Sequence, residues 1–204
     1  MVEILPAILE KSFGPLAEKM ERLRGLTERA QIDIADGIFI PEESWHEQER
    51  LAELGEEVKL DLHLMVDKPE QWINRWSQPN VFRITFHQEA TYDMRRTLEL
   101  VKSSGKEAGV ALKLETPVTA VYDILDEVDI VLLLSVVPGK QGREFDAQVI
   151  AKIEELRRHS PKIIIGVDGG ITPLEASSLA AAGANVLVSG SYLWEQEDIG
   201  AAIE

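Results

Sequence analysis

The runs IVLLLSVV at 130–137 and KIIIGVDGG at 162–170 decide the fold. Neither alternates apolar with polar residues, as a strand with one wet face would. Continuous Val/Ile/Leu runs of this length read as strands covered on both faces, the condition of a parallel sheet. A helical pattern fills 145–158 between them. Strand, helix and strand in that order make a right-handed crossover unit.

The same alternation continues outward in both directions. Further strand-like runs are Ile4–Leu9, Ala30–Ala35, Lys59–Met65, Val81–His87, Gly109–Leu114 and Asn185–Gly190, beside Ile130–Val136 and Lys162–Asp168. Helical patterns occupy Pro15–Leu26, Ser44–Leu54, Pro69–Trp76, Tyr92–Ser103, Val118–Leu125, Phe145–Arg158 and Pro173–Ala182. Pro69, Pro117 and Pro173 each stand near a helix start, where a missing N–H is harmless, and Thr116 and Thr172 precede two of them as candidate N-caps. Eight units in 204 residues average about 25 residues each. An open doubly wound sheet usually has fewer strands, and no linker interrupts the pattern. The expectation is one α/β domain over 1–204, a compact (β/α)8 TIM barrel with a short last helix near Glu195–Ile203, below the roughly 250 residues common for that fold.

Composition narrows the function. Lys and Arg number 21 against 36 Asp and Glu, a net charge of −15. That field repels nucleic acid and anionic membranes, so neither is an expected partner. No Cys is present, which excludes disulfides, thiolate nucleophiles and Cys-ligated metal. No basic leader or long apolar run is seen, and a cytoplasmic location is the expectation.

Chemistry in such a barrel sits at the C-terminal strand ends. Asp168-Gly169-Gly170 and Gly190-Ser191 expose backbone N–H groups ahead of two helices, at the position where barrels bind phosphate. The same glycines could instead serve only as tight turns. Asp33, His63 and Asp168 end three different strands. They could converge on a divalent metal, shuttle protons, or be ordinary turn, cap and core residues. His87 reads as a buried, hydrogen-bonded histidine, and Lys113 as a surface or phosphate-contacting lysine with Schiff-base chemistry a remote option. Trp72 and Trp76 share one helical face and read as packing, His46 and His159 as solvated, and Glu42-Glu43 with Glu47 and Glu49 as an exposed acidic helix start.

The ordered set Ile4-Leu5-Pro6-Ala7-Ile8-Leu9, Asp33-x-x-Asp36-Gly37-x-Phe39-x-Pro41, Asp61-Leu62-His63-Leu64-Met65, His87-Gln88-Glu89, Thr116-Pro117, Ser135-Val136-x-Pro138-Gly139-x-x-Gly142, Val167-Asp168-Gly169-Gly170 and Gly190-Ser191 resembles the ribulose-phosphate 3-epimerases over nearly the whole chain. The resemblance implies a (β/α)8 barrel, a divalent cation (Zn, Fe, Mn or Mg), a phosphorylated sugar as substrate and a homo-oligomer. It further implies that Asp33 and Asp168 are the acid/base pair and metal ligands, with His63 a third ligand. Met65 then flanks the reacting carbons, Gly139 and Gly142 belong to a covering loop, and Gly169, Gly170, Gly190 and Ser191 cradle the phosphate.

Several positions depart from the family pattern. Gln31 stands where a fourth, His ligand is usual, Ala7 where a Ser is, Ala35 and Leu134 where two of three methionines are, and Lys113 where an Asn is. An amide oxygen is a weak ligand that suits harder ions, so Gln31 implies weaker metal retention. Two function classes result: an isomerase interconverting ketopentose 5-phosphates, or a degenerate barrel that binds a phosphosugar without turnover. The paired carboxylates favour the first. A related decarboxylase would need a Lys where Ala35 stands in Asp33-Ile34-Ala35-Asp36.

Overall fold

The computed structural model describes residues 2–138, 142 and 144–203. Eight parallel strands, β1 (Glu3–Ile8), β2 (Arg29–Ala35), β3 (Lys59–Met65), β4 (Val81–His87), β5 (Glu107–Leu112), β6 (Ile130–Leu134), β7 (Ile164–Asp168) and β8 (Val186–Ser189), pair in chain order and close through β1 and β8. The (β/α)8 expectation holds. All eight expected runs are strands, with ends displaced by up to two residues. Among the described residues no helix is long and apolar enough to cross a membrane.

The outer layer is less helical than the periodicity suggests. α1 (Phe13–Leu23), α2 (Ile73–Trp76), α3 (Met94–Ser103), α4 (Gln148–His159), α5 (Pro173–Ala182), α6 (Ser191–Trp194) and α7 (Ile199–Ile203) are α-helical, while 48–54, 69–71, 88–90 and 118–124 are 3₁₀ turns. Ser44–Leu54 is therefore not one helix. The Trp45 N–H is spent on the Glu10 carbonyl at 2.7 Å, and Glu43 pairs antiparallel with Asp36, so the acidic run is a tethered loop rather than a helix start. Val118–Leu125 stays 3₁₀, in keeping with the β-branched Val118, Thr119, Val121 and Ile124, which resist helical packing. Thr116 does not cap it, because its hydroxyl is turned to Glu89. Thr172 does cap α5: its Oγ1 accepts from Leu174 N–H while Glu175 accepts from Thr172 N–H, a full capping box. The last helix is split, with α6 starting directly after β8 and α7 following a break. Trp76 is buried, edge-on to Trp45 and stacked on Trp72, which confirms packing.

The main core lies between the barrel and its outer layer. A second apolar cluster (Leu5, Ala7, Ala111, Ile130, Leu132, Leu134, Val186 and Val188) fills the barrel interior on the side of β1, β5, β6 and β8. The opposite side is polar. There β2, β3 and β4 contribute buried Gln31, Asp33, Asp61, His63, Arg83, Thr85 and His87, alternating with apolar residues of the outer core such as Ile32, Leu62 and Phe86. Deep in that half the Arg83 guanidinium donates to Asp61 Oδ2 from Nη2 at 2.6 Å and from Nε at 2.9 Å.

Asp61→Ala should therefore destabilise the fold by about 3–5 kcal/mol, since it strands a buried cation. Glu107, at 3.5 Å and half exposed, and the more remote Glu3 would remain as neighbouring anions. Denaturant unfolding of the two proteins checks this, and a loss below 1 kcal/mol would show that the pair is not what supports the barrel floor.

Candidate active site

β2, β3 and β7 deliver the three residues expected to converge, and they do converge. Asp33, His63 and Asp168 each offer a ligand atom, and these atoms lie within 4.8 Å of one another. His63 Nδ1 is 3.0 Å from Asp33 Oδ1 and 3.5 Å from Asp168 Oδ2. Gln31 reaches the same centre through its amide nitrogen, which donates to Asp33 Oδ1 and to Asp168 Oδ2, both at 2.8 Å. The two carboxylates thus face each other across one small centre.

Electrostatics follows from that crowding. Burial pushes the Asp33 carboxyl up, aided by the nearby Asp168 charge and opposed by the His63 hydrogen bond. Burial alone would strip the proton from His63, but hydrogen bonds to Asp168 and Asp33 outweigh it and raise the ring to about 10. A cation is therefore favoured wherever these three side chains meet.

Two carboxylates and an imidazole suit a divalent ion. Gln31 Oε1 is buried without a hydrogen-bond partner, so turning the amide over would bring an oxygen to the centre at the loss of the two bonds its NH₂ makes, which a cation between the carboxylates would replace. The donor set fits a metal on both counts.

One cavity opens over this centre. It is lined by Asp33, His63, Met65, Gly142, Asp168, Gly169, Gly170, Gly190 and Ser191, together with Ala7 and Leu134. Every described residue expected at the site is there except Gln31, which lies beneath it; Gly139 falls outside the described residues. Ala35 does not line the cavity and packs with Ile40 and Met65. Lys113 stays outside as well, its Nζ 4.0 Å from the Phe39 ring centre. Asp36 is a turn residue that accepts from the Ile38, Phe39 and Asp67 N–H groups. His159 stacks on Tyr122, and His46 stands beside Glu43 at the surface.

The turn after β7 is built for close approach. Gly169 and Gly170 have φ of 117° and 64°, the left-handed region that favours glycine. A Cβ at Gly169 would lie 2.4 Å from Val136 Cγ2. α5 opens just beyond, but Pro173 has no N–H and the Leu174 N–H is taken by the Thr172 cap, which leaves the glycine turn itself to meet an anion. Gly170→Val should abolish binding of inorganic phosphate or a sugar phosphate while costing about 1–2 kcal/mol of backbone strain. Calorimetry on folded protein checks it, and unchanged binding would place the anion elsewhere.

The structure also shows residues that sequence reasoning missed. Ser135 Oγ donates to the carbonyls of Asp168 (3.0 Å) and Gly169 (2.5 Å), clamping the turn that carries Asp168. Ser44 Oγ accepts from Ala35 N–H and donates to the Asp33 carbonyl, holding the end of β2. Ser135 stood in a quoted motif without a role, whereas Ser44 carried no local signal. Behind His63 stands buried His87, with Nε2 to Nε2 at 2.9 Å, and His87 Nδ1 is 3.3 Å from Glu89 Oε2.

Comparison with known proteins decides what this centre belongs to. Residues 3–194 match the model of the ribulose-phosphate 3 epimerase family. The chain belongs to the ribulose-phosphate 3-epimerase family. It is an isomerase, of the epimerase type. It is 33% identical to the Bacillus subtilis ribulose-phosphate 3-epimerase over 206 residues, covering 97% of this chain and 94% of that one. Identity is 34% with the chloroplastic ribulose-5-phosphate-3-epimerase of Arabidopsis thaliana (98% and 74% covered) and 32% with the Escherichia coli K12 ribulose-phosphate 3-epimerase (96% and 90% covered). Among solved structures, a mutant tryptophan synthase alpha-subunit from Pyrococcus furiosus superposes with a TM-score of 0.73 at 14% identity, covering 99% of this chain and 96% of that one, a likeness of fold alone.

Proposed function

We propose that the protein interconverts ribulose 5-phosphate and xylulose 5-phosphate by inverting the carbon beside the ketone. The observation that carries this is the facing pair Asp33 and Asp168, joined through one amide nitrogen beneath a single cavity. One carboxylate removes the proton from one face of that carbon, and the other, protonated, returns a proton to the opposite face. Burial prepares Asp33 for this by raising its affinity for a proton.

Gly169, Gly170, Gly190 and Ser191 supply backbone donors to the phosphate, which answers how a chain of charge −15 binds an anion. Met65, Ala7 and Leu134 give the reacting carbons an apolar surround that excludes water. His63 and Gln31 orient the two carboxylates by hydrogen bonds. Asp33, His63 and Asp168 are the residues that would hold a divalent cation. Such an ion, when bound, supplies Lewis-acid charge that acidifies the substrate carbon and stabilises the enediolate. With Gln31 as a fourth, neutral oxygen donor, we read the site as one nitrogen and three oxygens, better suited to Mn²⁺ or Mg²⁺ than to Zn²⁺.

The deciding test is turnover of ribulose 5-phosphate by purified protein, with metal content measured on the same sample. Phosphosugar binding without turnover at any metal loading would move the protein to the class of non-catalytic binders.

A further inference from the structure

We propose that Glu89 and His87 are positioning residues that set which nitrogen of His63 is free to bind a cation. The inference rests on the reading above that Asp33, His63 and Asp168 hold a divalent ion.

The argument is one of donor order along a buried chain. Glu89 Oε1 accepts from the Lys113 backbone N–H at 2.8 Å and from the Thr116 hydroxyl. A backbone N–H can only donate, so Oε1 must be an acceptor. Oε2 faces His87 Nδ1 at 3.3 Å, and a carboxylate there requires hydrogen on Nδ1. Neutral His87 then presents a lone pair at Nε2. Across 2.9 Å stands His63 Nε2, and two facing imidazole nitrogens form a hydrogen bond only if one of them carries hydrogen. That hydrogen must belong to His63. The remaining ring nitrogen, Nδ1, is the one aimed at Asp33 and Asp168. The order Glu89, His87, His63 thus reserves Nδ1 for the centre. His63 and His87 are both buried, at 1% and 0% exposure, so water cannot readily substitute for a link in this chain. Ligating histidines usually hand their other N–H to a carboxylate or carbonyl directly. Here a second imidazole is interposed.

Glu89→Gln offers a sharp test, because the amide is nearly isosteric and its orientation is dictated. Its oxygen must face the Lys113 N–H, which leaves its NH₂ facing His87 Nδ1. The donor order then reverses: His87 carries hydrogen on Nε2 and His63 accepts there, so the hydrogen on His63 Nδ1 is the only one that ring has and cannot give way to a cation without leaving an imidazolate.

Two readouts follow. Nitrogen-15 NMR of the histidine rings in metal-free protein should show hydrogen on His63 Nε2 and on His87 Nδ1 in the wild type, and in Glu89→Gln hydrogen on His87 Nε2 with none on His63 Nε2. Titration with Mn²⁺ should show affinity lower in Glu89→Gln by about 10–100-fold. Binding of inorganic phosphate, which involves neither residue, should not change. Wild-type rings with hydrogen on His87 Nε2 would overturn the proposal even if the variant failed to fold. So would a Glu89→Gln protein that keeps the wild-type ring pattern and affinity. Neither readout depends on turnover. An inactive protein with the expected ring pattern would refute the epimerase reading and leave the positioning role standing.

Discussion

Asp168→Asn is expected to abolish epimerisation together with the exchange of substrate hydrogen for solvent deuterium at the inverted carbon. The amide matches the carboxylate in shape but cannot carry the proton. Loss of one positioned acid/base group costs about 10²–10⁴-fold, and an inversion needing both faces has no second route. The fold should survive, since the Asp168 backbone is held independently of its carboxylate by Ser135 and by pairing with β6 and β8. Gln31 loses one of its two acceptors, which accounts for any small change in stability. Proton NMR in deuterium oxide with ribulose 5-phosphate reads exchange and inversion separately. Full epimerisation by the variant would remove Asp168 from the acid/base role. Exchange surviving without inversion would instead identify Asp33 as the base for the ribulose configuration.

Gln31→His should tighten Zn²⁺ binding by at least the roughly 10–100-fold that outer-sphere partners alone contribute at such sites. Position 31 is fully buried and its side chain already points between Asp33 and Asp168. An imidazole there makes the donor set two nitrogens and two carboxylates, closer to zinc's preference than an amide oxygen. In the native chain the Gln31 NH₂ draws the two carboxylates together at 2.8 Å each, a task a cation would otherwise perform. The native protein should therefore keep its carboxylates ordered even when stripped with chelator, and should bind Mn²⁺ or Mg²⁺ in preference to Zn²⁺. Metal titration of stripped native and Gln31→His proteins checks this. Equal affinity for Zn²⁺, or no binding by either, would mean that the Asp33–His63–Asp168 set is not a metal centre.

The architecture was legible in the sequence because strands and turns answer to neighbours a few residues away. Covered Val/Ile/Leu runs, prolines at helix starts and Asp168-Gly169-Gly170 before a capped helix are local statements, and the strand set and barrel followed from them. The two-residue spacing of Gln31 and Asp33 also puts them on one face of β2, since side chains in a strand repeat every second residue. The outer layer was less legible. Whether 44–54 and 118–125 become α-helix depends on where their N–H groups find acceptors, and Trp45 found one on the loop after β1.

By itself, then, the sequence determined the barrel, the family and the identity of the residues around its cavity. Only the tertiary structure decided how those residues use one another. Gln31 and Asp168 are 137 positions apart, and His63, His87 and Glu89 lie on or just after two different strands. Their meeting depends on the tilt and closure of eight strands, which no local pattern encodes. Which nitrogen faces which oxygen is settled later still, by the single arrangement that leaves donors facing acceptors where water is excluded.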